Sequence, residues 1–127
     1  MTQSQRETKY TRTVMQCLRR RGHATNAELA AAVRCELPSV SDTTIHRVTQ
    51  RFYERSQVGI APAAPDGAMR YDSNHLPHDH FMCQECDTLR DVMIPPVIRE
   101  QLEALVDGCC LNGSLLIVGD CKKCKEN

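Results

Sequence analysis

The sequence has no run approaching the ~20 apolar residues needed to cross a bilayer, which argues against a membrane protein. Its N-terminus is polar and no long apolar stretch follows, so no signal peptide is expected and the setting should be cytoplasmic and reducing. It has no net charge, with Lys plus Arg and Asp plus Glu at 16 each, so the whole-chain balance points to no particular partner. Internal repeats are absent apart from two Cys-x-x-Cys pairs.

What is present is unevenly distributed. Residues 1–60 carry ten Lys/Arg against five Asp/Glu, and residues 61–127 carry six against eleven. A basic first half with helical patterning suits a polyanion such as nucleic acid, and an acidic second half suits cations. A chain of 127 residues can bury one good core or two small ones, and a small core usually needs a staple. The chain has eight cysteines, and in a reducing compartment paired Cys-x-x-Cys motifs read as metal ligands rather than bridges.

Taken in order, residues 1–9 are polar and expected to fray. Val14, Met15 and Leu18 fall at helical spacing between about Thr11 and Arg21, and Gly22 is a natural stop. Thr25 and Glu28 form a capping box for a second helix, whose face continues through Leu29, Ala30, Val33 and Leu37 to Pro38. A third helix, capped by Ser41 or Asp42, buries Ile45, Val48 and Phe52, and its other face carries Thr44, Arg47 and Arg51. Residues 58–60 and Met69 to Asp72 read as a two-stranded ribbon around Pro62, Pro65, Asp66 and Gly67. Three short helices and a ribbon in a basic half predict a winged helix-turn-helix domain, with Thr44, His46, Arg47 and Arg51 as candidate DNA contacts. The plain alternative for these four is the wet face of a helix. Arg19, Arg20 and Arg21 are better read as complementing the helix dipole than as phosphate contacts.

Composition changes after Asp72, which places the domain boundary between 1–72 and 73–127. Leu89 to Ile94 has strand character, and Pro95 and Pro96 open a helix with an apolar stripe of Ile98, Leu102, Leu105 and Val106 that ends at Gly108. Asn112-Gly113 predicts a hairpin between a strand around Cys110 and Leu111 and the run Leu115 to Val118. That run is apolar without alternation, so both its faces should be covered, a partner subunit being one way. The overall expectation is α+β: a winged helix followed by a small α/β domain.

Two motifs carry the chemistry. Cys83 with Cys86, and Cys121 with Cys124, are two knuckles of the kind that close around one structural Zn(II), tying the start of the second domain to its end. The alternation of His78 and His80 puts both imidazoles on one face of an extended segment, where they can chelate a second metal, and turns Asp79 the other way. Cys17 and Cys35 lie near apolar helical faces and are expected in the core, and packing is the preferred reading for Cys109 and Cys110. His75 is a minor alternative ligand.

The ordered sequence of a basic winged helix, Arg70-Tyr71-Asp72, His78-x-His80-x-x-Cys83-x-x-Cys86, a helix and a terminal Cys121-x-x-Cys124 resembles the ferric uptake regulator family of metal-dependent repressors. The likeness spans nearly the whole chain. It implies a homodimer, a winged-helix domain on double-stranded operator DNA, a C-terminal α/β dimerisation domain, a structural zinc and a regulatory metal at the hinge. The spacing is most like the peroxide-sensing branch, which implies a regulatory set of His23, Asp72, His78, His80 and Asp91 holding Fe(II) or Mn(II). In that branch iron-dependent oxidation of ligand histidines by peroxide releases metal and DNA, which implies the same for His23 and His78. Two features depart from the family pattern. A Tyr-Arg pair common on the third helix is His46-Arg47 here, and Pro77 replaces a histidine that some iron sensors use for a further site.

Three other readings compete. The same scaffold can sense iron, manganese or zinc directly. A zinc-ribbon interaction module without DNA binding is countered by the basic first half. A metal hydrolase or deaminase is countered by the missing catalytic glutamate and Pro-Cys-x-x-Cys arrangement, so neither an enzyme nor a small organic substrate is expected. For His23, Asp72 and Asp91 the plain alternative is a solvated surface group.

Overall fold

The computed structural model describes residues 8–126 and divides into two compact units, 1–76 and 77–127. The residues expected to fray lie mostly outside the described ones, but Thr8 and Lys9 already belong to a helix start. Helix α1 (Lys9–Arg21) opens two residues earlier than the apolar spacing suggests, because Thr8 and Thr11 cap each other's backbone N–H groups. At its other end Gly22 takes φ +83 and returns its N–H to Leu18 O.

The first unit continues with β1 (His23–Thr25), α2 (Asn26–Val33), α3 (Asp42–Glu54), β2 (Gly59–Ala61) and β3 (Arg70–Asp72). The expected capping box of Thr25 and Glu28 opens α2. That helix stops at Val33 rather than running to Pro38. Residues 34–36 form a turn, and Leu37 packs on the core from beyond it. Because the helix ends there, Cys35 is exposed instead of in the core, while Cys17 is buried as expected. Ser41 caps α3 by accepting from the Thr44 N–H. Val14, Leu18, Leu29, Val33 and Ile45, all fully buried, form the centre of one apolar core under the three helices.

The ribbon of β2 and β3 is the expected one, its loop tied by Asp66, which accepts from the Ala68 N–H. The sequence reading missed β1. Three residues are too few to show a period, yet β1 pairs antiparallel with β3 and completes a sheet of order β1-β3-β2. Helices and sheet together make a winged helix. Ser73 donates its N–H to Gly22 O, and Asn74 O packs against Gly59, so 73–76 stay with the first unit and the division falls four residues later than composition suggested.

The second unit holds β4 (Asp79–Cys83), β5 (Leu89–Val92), α4 (Pro96–Leu105), β6 (Leu116–Gly119) and α5 (Lys122–Lys125). The sheet order is β5-β4-β6, with β5 antiparallel and β6 parallel to β4. Here the hairpin expected at Asn112-Gly113 is overturned. Residues 110 and 111 are not a strand, because the Leu111 N–H donates to the Glu103 carboxylate and its carbonyl accepts from Arg99, so α4 takes the groups a ladder would need. The crossover through α4 delivers β6 parallel to β4, as a connection of that length permits. Cys109 and Cys110 are exposed rather than packed. No residue of α4 is buried, and Leu116, Ile117 and Val118 of β6 are 43%, 46% and 52% exposed. Among the described residues no helix is long and apolar enough to cross a membrane.

Candidate metal centres and recognition helix

The four-cysteine site is built from two turns. Cys83 ends β4, and the turn after it closes where Asp87, at φ 63, donates its N–H to Cys83 O, which brings Cys86 back beside Cys83. Gln84 N–H donates to Gly119 O, holding the end of β6 alongside, so Cys121 follows directly and Cys124 comes round on α5. The four sulfurs lie within 4.8 Å of one another, and Cys86 and Cys121 Sγ are 3.9 Å apart. A tetrahedron with Zn–S bonds of about 2.3 Å has edges of about 3.8 Å, so the cluster fits a zinc ion.

Its electrostatics favour the thiolate at Cys83 and Cys86. The Cys121 N–H, at 3.3 Å, and those of Cys86 and Glu85 hold the Cys83 thiol down at about 6 against the effect of burial. The Thr88 hydroxyl, 3.0 Å from Cys86 Sγ, lowers that thiol too. Cys124 moves the other way, pushed up because it keeps the proton its sulfur neighbours Cys121 and Cys86 share.

The histidine and carboxylate ligands form two groups, one in each unit. In the first unit the β1/β3 register sets His23 opposite Asp72, with Nε2 to Oδ2 at 3.6 Å and the Asp72 side chain 2% exposed. Asp72 is oriented by the Asn74 N–H, which donates to its other oxygen at 2.9 Å. In the second unit the β4/β5 register sets His80 opposite Asp91, and His78 joins from just before β4. His78 and His80 Nε2 lie 3.2 and 3.5 Å from the same Asp91 oxygen, and their ring centroids are 4.4 Å apart. Imidazole nitrogens converging on carboxylate oxygens suit a cation between them: adjacent donors at about 2.1 Å from an octahedral ion are about 3.0 Å apart. His75 is exposed.

Asp79, between the two histidines, faces away from them as the alternation requires. It accepts from the Arg99 guanidinium and from the Leu115 and Ile94 N–H groups, joining β4 to α4 and to the starts and ends of the neighbouring strands. Burial alone would raise its carboxyl, but these donors hold it below the usual carboxylate range. Sequence reasoning found that Asp79 turns away but not Arg99, whose partner is 20 residues distant.

On α3, His46, Arg47 and Arg51 are exposed and Thr44 is half-buried, on the face opposite Ile45, Val48 and Phe52. Asn26, which the sequence did not single out, lies against His46, its Nδ2 3.2 Å from the ring Nδ1.

Comparison with known proteins agrees with this architecture. The chain is 26% identical over 108 residues to the peroxide-responsive repressor PerR of Staphylococcus aureus, covering 82% of this chain and 71% of that one. Among solved structures it matches a Campylobacter jejuni peroxide stress regulator at 26% identity and TM-score 0.66, over 91% of this chain and 88% of that one. It also matches the Helicobacter pylori ferric uptake regulator at 18% identity and TM-score 0.75, over 96% and 83%. The sequence model of the Ferric uptake regulator family matches residues 3–112. With that match over most of its length, on a winged helix followed by a cysteine-clustered α/β unit, the chain belongs to the ferric uptake regulator family.

Proposed function

We propose that this protein is a metal-dependent transcriptional repressor that binds operator DNA as a homodimer and responds to peroxide through its regulatory metal. The observation that carries the reading is the placing of imidazole–carboxylate groups by strand register: His23 with Asp72 in the first unit, and His78 and His80 with Asp91 in the second. If the two groups share one ion, metal binding selects one arrangement of the DNA-binding units, and DNA affinity follows occupancy.

The roles divide accordingly. Cys83, Cys86, Cys121 and Cys124 hold a closed zinc that staples the second unit. His23, Asp72, His78, His80 and Asp91 hold Fe(II) or Mn(II), a borderline-to-hard donor set that leaves room for a further ligand. Bound Fe(II) supplies the reducing electron that makes peroxide an oxidant of nearby imidazoles; Mn(II) does not. Thr44, His46, Arg47 and Arg51 face the major groove, with the two arginines offering guanidinium donors to bases or phosphates. The exposed apolar faces of α4 and β6 support pairing of two chains through the second unit.

The test is peptide mass spectrometry of protein loaded anaerobically with Fe(II) and then given stoichiometric peroxide, with Mn(II)-loaded protein as control. Addition of one oxygen to His23 or His78 in the iron sample only is expected. Unmodified histidines would remove peroxide sensing and leave direct metal sensing by the same residues.

A further inference from the structure

On α3 the structure gives the His46 ring a defined orientation. Thr49, one turn further along α3, is fully buried, and its single hydroxyl proton has three acceptors in reach: Asn26 Oδ1 at 2.9 Å, Ile45 O at 3.1 Å and His46 O at 3.2 Å. The two carbonyls already accept helical N–H groups, so the nearer amide oxygen is the acceptor that gains most. With Oδ1 committed to Thr49, the Asn26 amide turns its NH2 to His46 Nδ1, 3.2 Å away. Two N–H groups cannot share that contact. Nδ1 must accept, and the proton of the neutral ring is left on Nε2.

Asn26 occupies Nδ1, which leaves Nε2 as the ring nitrogen available to an incoming partner. His46 is exposed and, with Asn26, Gln50 and Tyr53, lines an open cavity of about 690 Å³ between α3 and the β2–β3 ribbon. We propose that Asn26 is a positioning residue: through the Thr49–Asn26–His46 chain it presents His46 to DNA as a hydrogen-bond donor, selecting a base with an acceptor on its major-groove edge. Guanine, through O6 and N7, thymine, through O4, and adenine, through N7, meet that requirement, and cytosine, which offers only its N4 donor, opposes it. This rests on the DNA-binding reading above.

The polarity of the chain is reversible by one atom. Asn26→Asp keeps the oxygen that accepts from Thr49 and replaces the NH2 with a second acceptor, which requires the proton on His46 Nδ1 and leaves Nε2 as an acceptor. Two measurements on the full-length protein at about pH 8.5, where an imidazole is neutral, test this. Long-range nitrogen–proton NMR of the zinc-loaded protein should give the Nε2–H tautomer in the wild type and Nδ1–H in Asn26→Asp. Selection from a randomised DNA duplex library with the Mn(II)-loaded protein should exclude cytosine at one symmetric pair of positions for the wild type. The same positions should accept cytosine for Asn26→Asp and lose their preference for His46→Ala, with affinity for the selected duplex lowered roughly three- to tenfold. An unchanged tautomer or an unchanged base profile in Asn26→Asp overturns the proposal. If the wild type enriches no duplex, the DNA-binding reading itself fails, and the tautomer measurement still reports separately whether Asn26 orients the ring.

Discussion

Asp79 stands between two candidate metal ligands in sequence, yet its work is structural. Asp79 is 2% exposed, and its carboxylate accepts from the Arg99 guanidinium and two backbone N–H groups, that of Ile94 just after β5 and that of Leu115 just before β6. Replacing it by asparagine leaves Arg99 without its counter-charge and trades an acceptor for a donor facing N–H groups. Arg99 is a quarter exposed, so the cost is below that of a fully buried broken pair, about 2–3 kcal/mol. Urea denaturation of Asp79→Asn should show that loss as a lower midpoint at unchanged slope. The pH dependence has a definite sign. Because the folded carboxyl is held below its unfolded value near 3.9, the stabilisation is complete above that value and is lost as pH falls through the folded pKa. The difference between wild type and variant should therefore be level near neutrality and shrink only in acid.

At the scale of elements, the two cysteine turns bring the end of β4 beside Cys121 and α5, so the zinc proposed above would close the sheet at the strand ends. The parallel β4/β6 pairing has no tight turn to hold it, and the chain between them is long, so a crosslink there removes much of the freedom of the unfolded chain. Cys121→Ser is expected to take zinc content from one ion per chain toward none, read by metal analysis, and to lower the thermal midpoint by roughly 10 °C or more. Zinc binding should also release protons. Cys83 is already low, at about 6, whereas Cys124 is pushed up and must lose its proton to become a ligand. Calorimetry in buffers of different ionisation enthalpy should find net proton release and an affinity that rises with pH; an affinity independent of pH would contradict it.

At the scale of the molecule, each unit has a different kind of surface. The first gathers most of its apolar residues in one core under three helices and leaves Tyr53, Ile60, Met69 and Leu76 open among its large ones. The second leaves Val97, Ile98, Leu105, Leu116, Ile117 and Val118 open, on a sheet whose order makes β6 an edge strand. An exposed apolar edge is a pairing surface unless it is covered. Ile117→Lys should shift the sedimentation equilibrium toward monomer by at least about tenfold in the dissociation constant, equivalent to about 1.4 kcal/mol. Retained zinc content would show that the unit still folds. A variant that stays dimeric would place the interface elsewhere.

Local chemistry sufficed for much of this protein. The Thr25–Glu28 box, the Ser41 cap, the two Cys-x-x-Cys knuckles and the alternation around Asp79 are legible because each depends on residues within a few positions of one another. What the sequence could not determine depends on pairing at a distance. Strand β1 is too short to show a period and exists because β3 offers it a ladder, and the Asn112-Gly113 turn signal failed because Glu103 and Arg99 claimed the backbone of Leu111. In the same way His23 faces Asp72, His80 faces Asp91 and Asn26 faces His46 only through tertiary packing. The cysteine pairs and the His78/His80 alternation are therefore legible from spacing, whereas the geometry around each candidate ligand is set by strand register, which is fixed when non-local backbone groups find their partners.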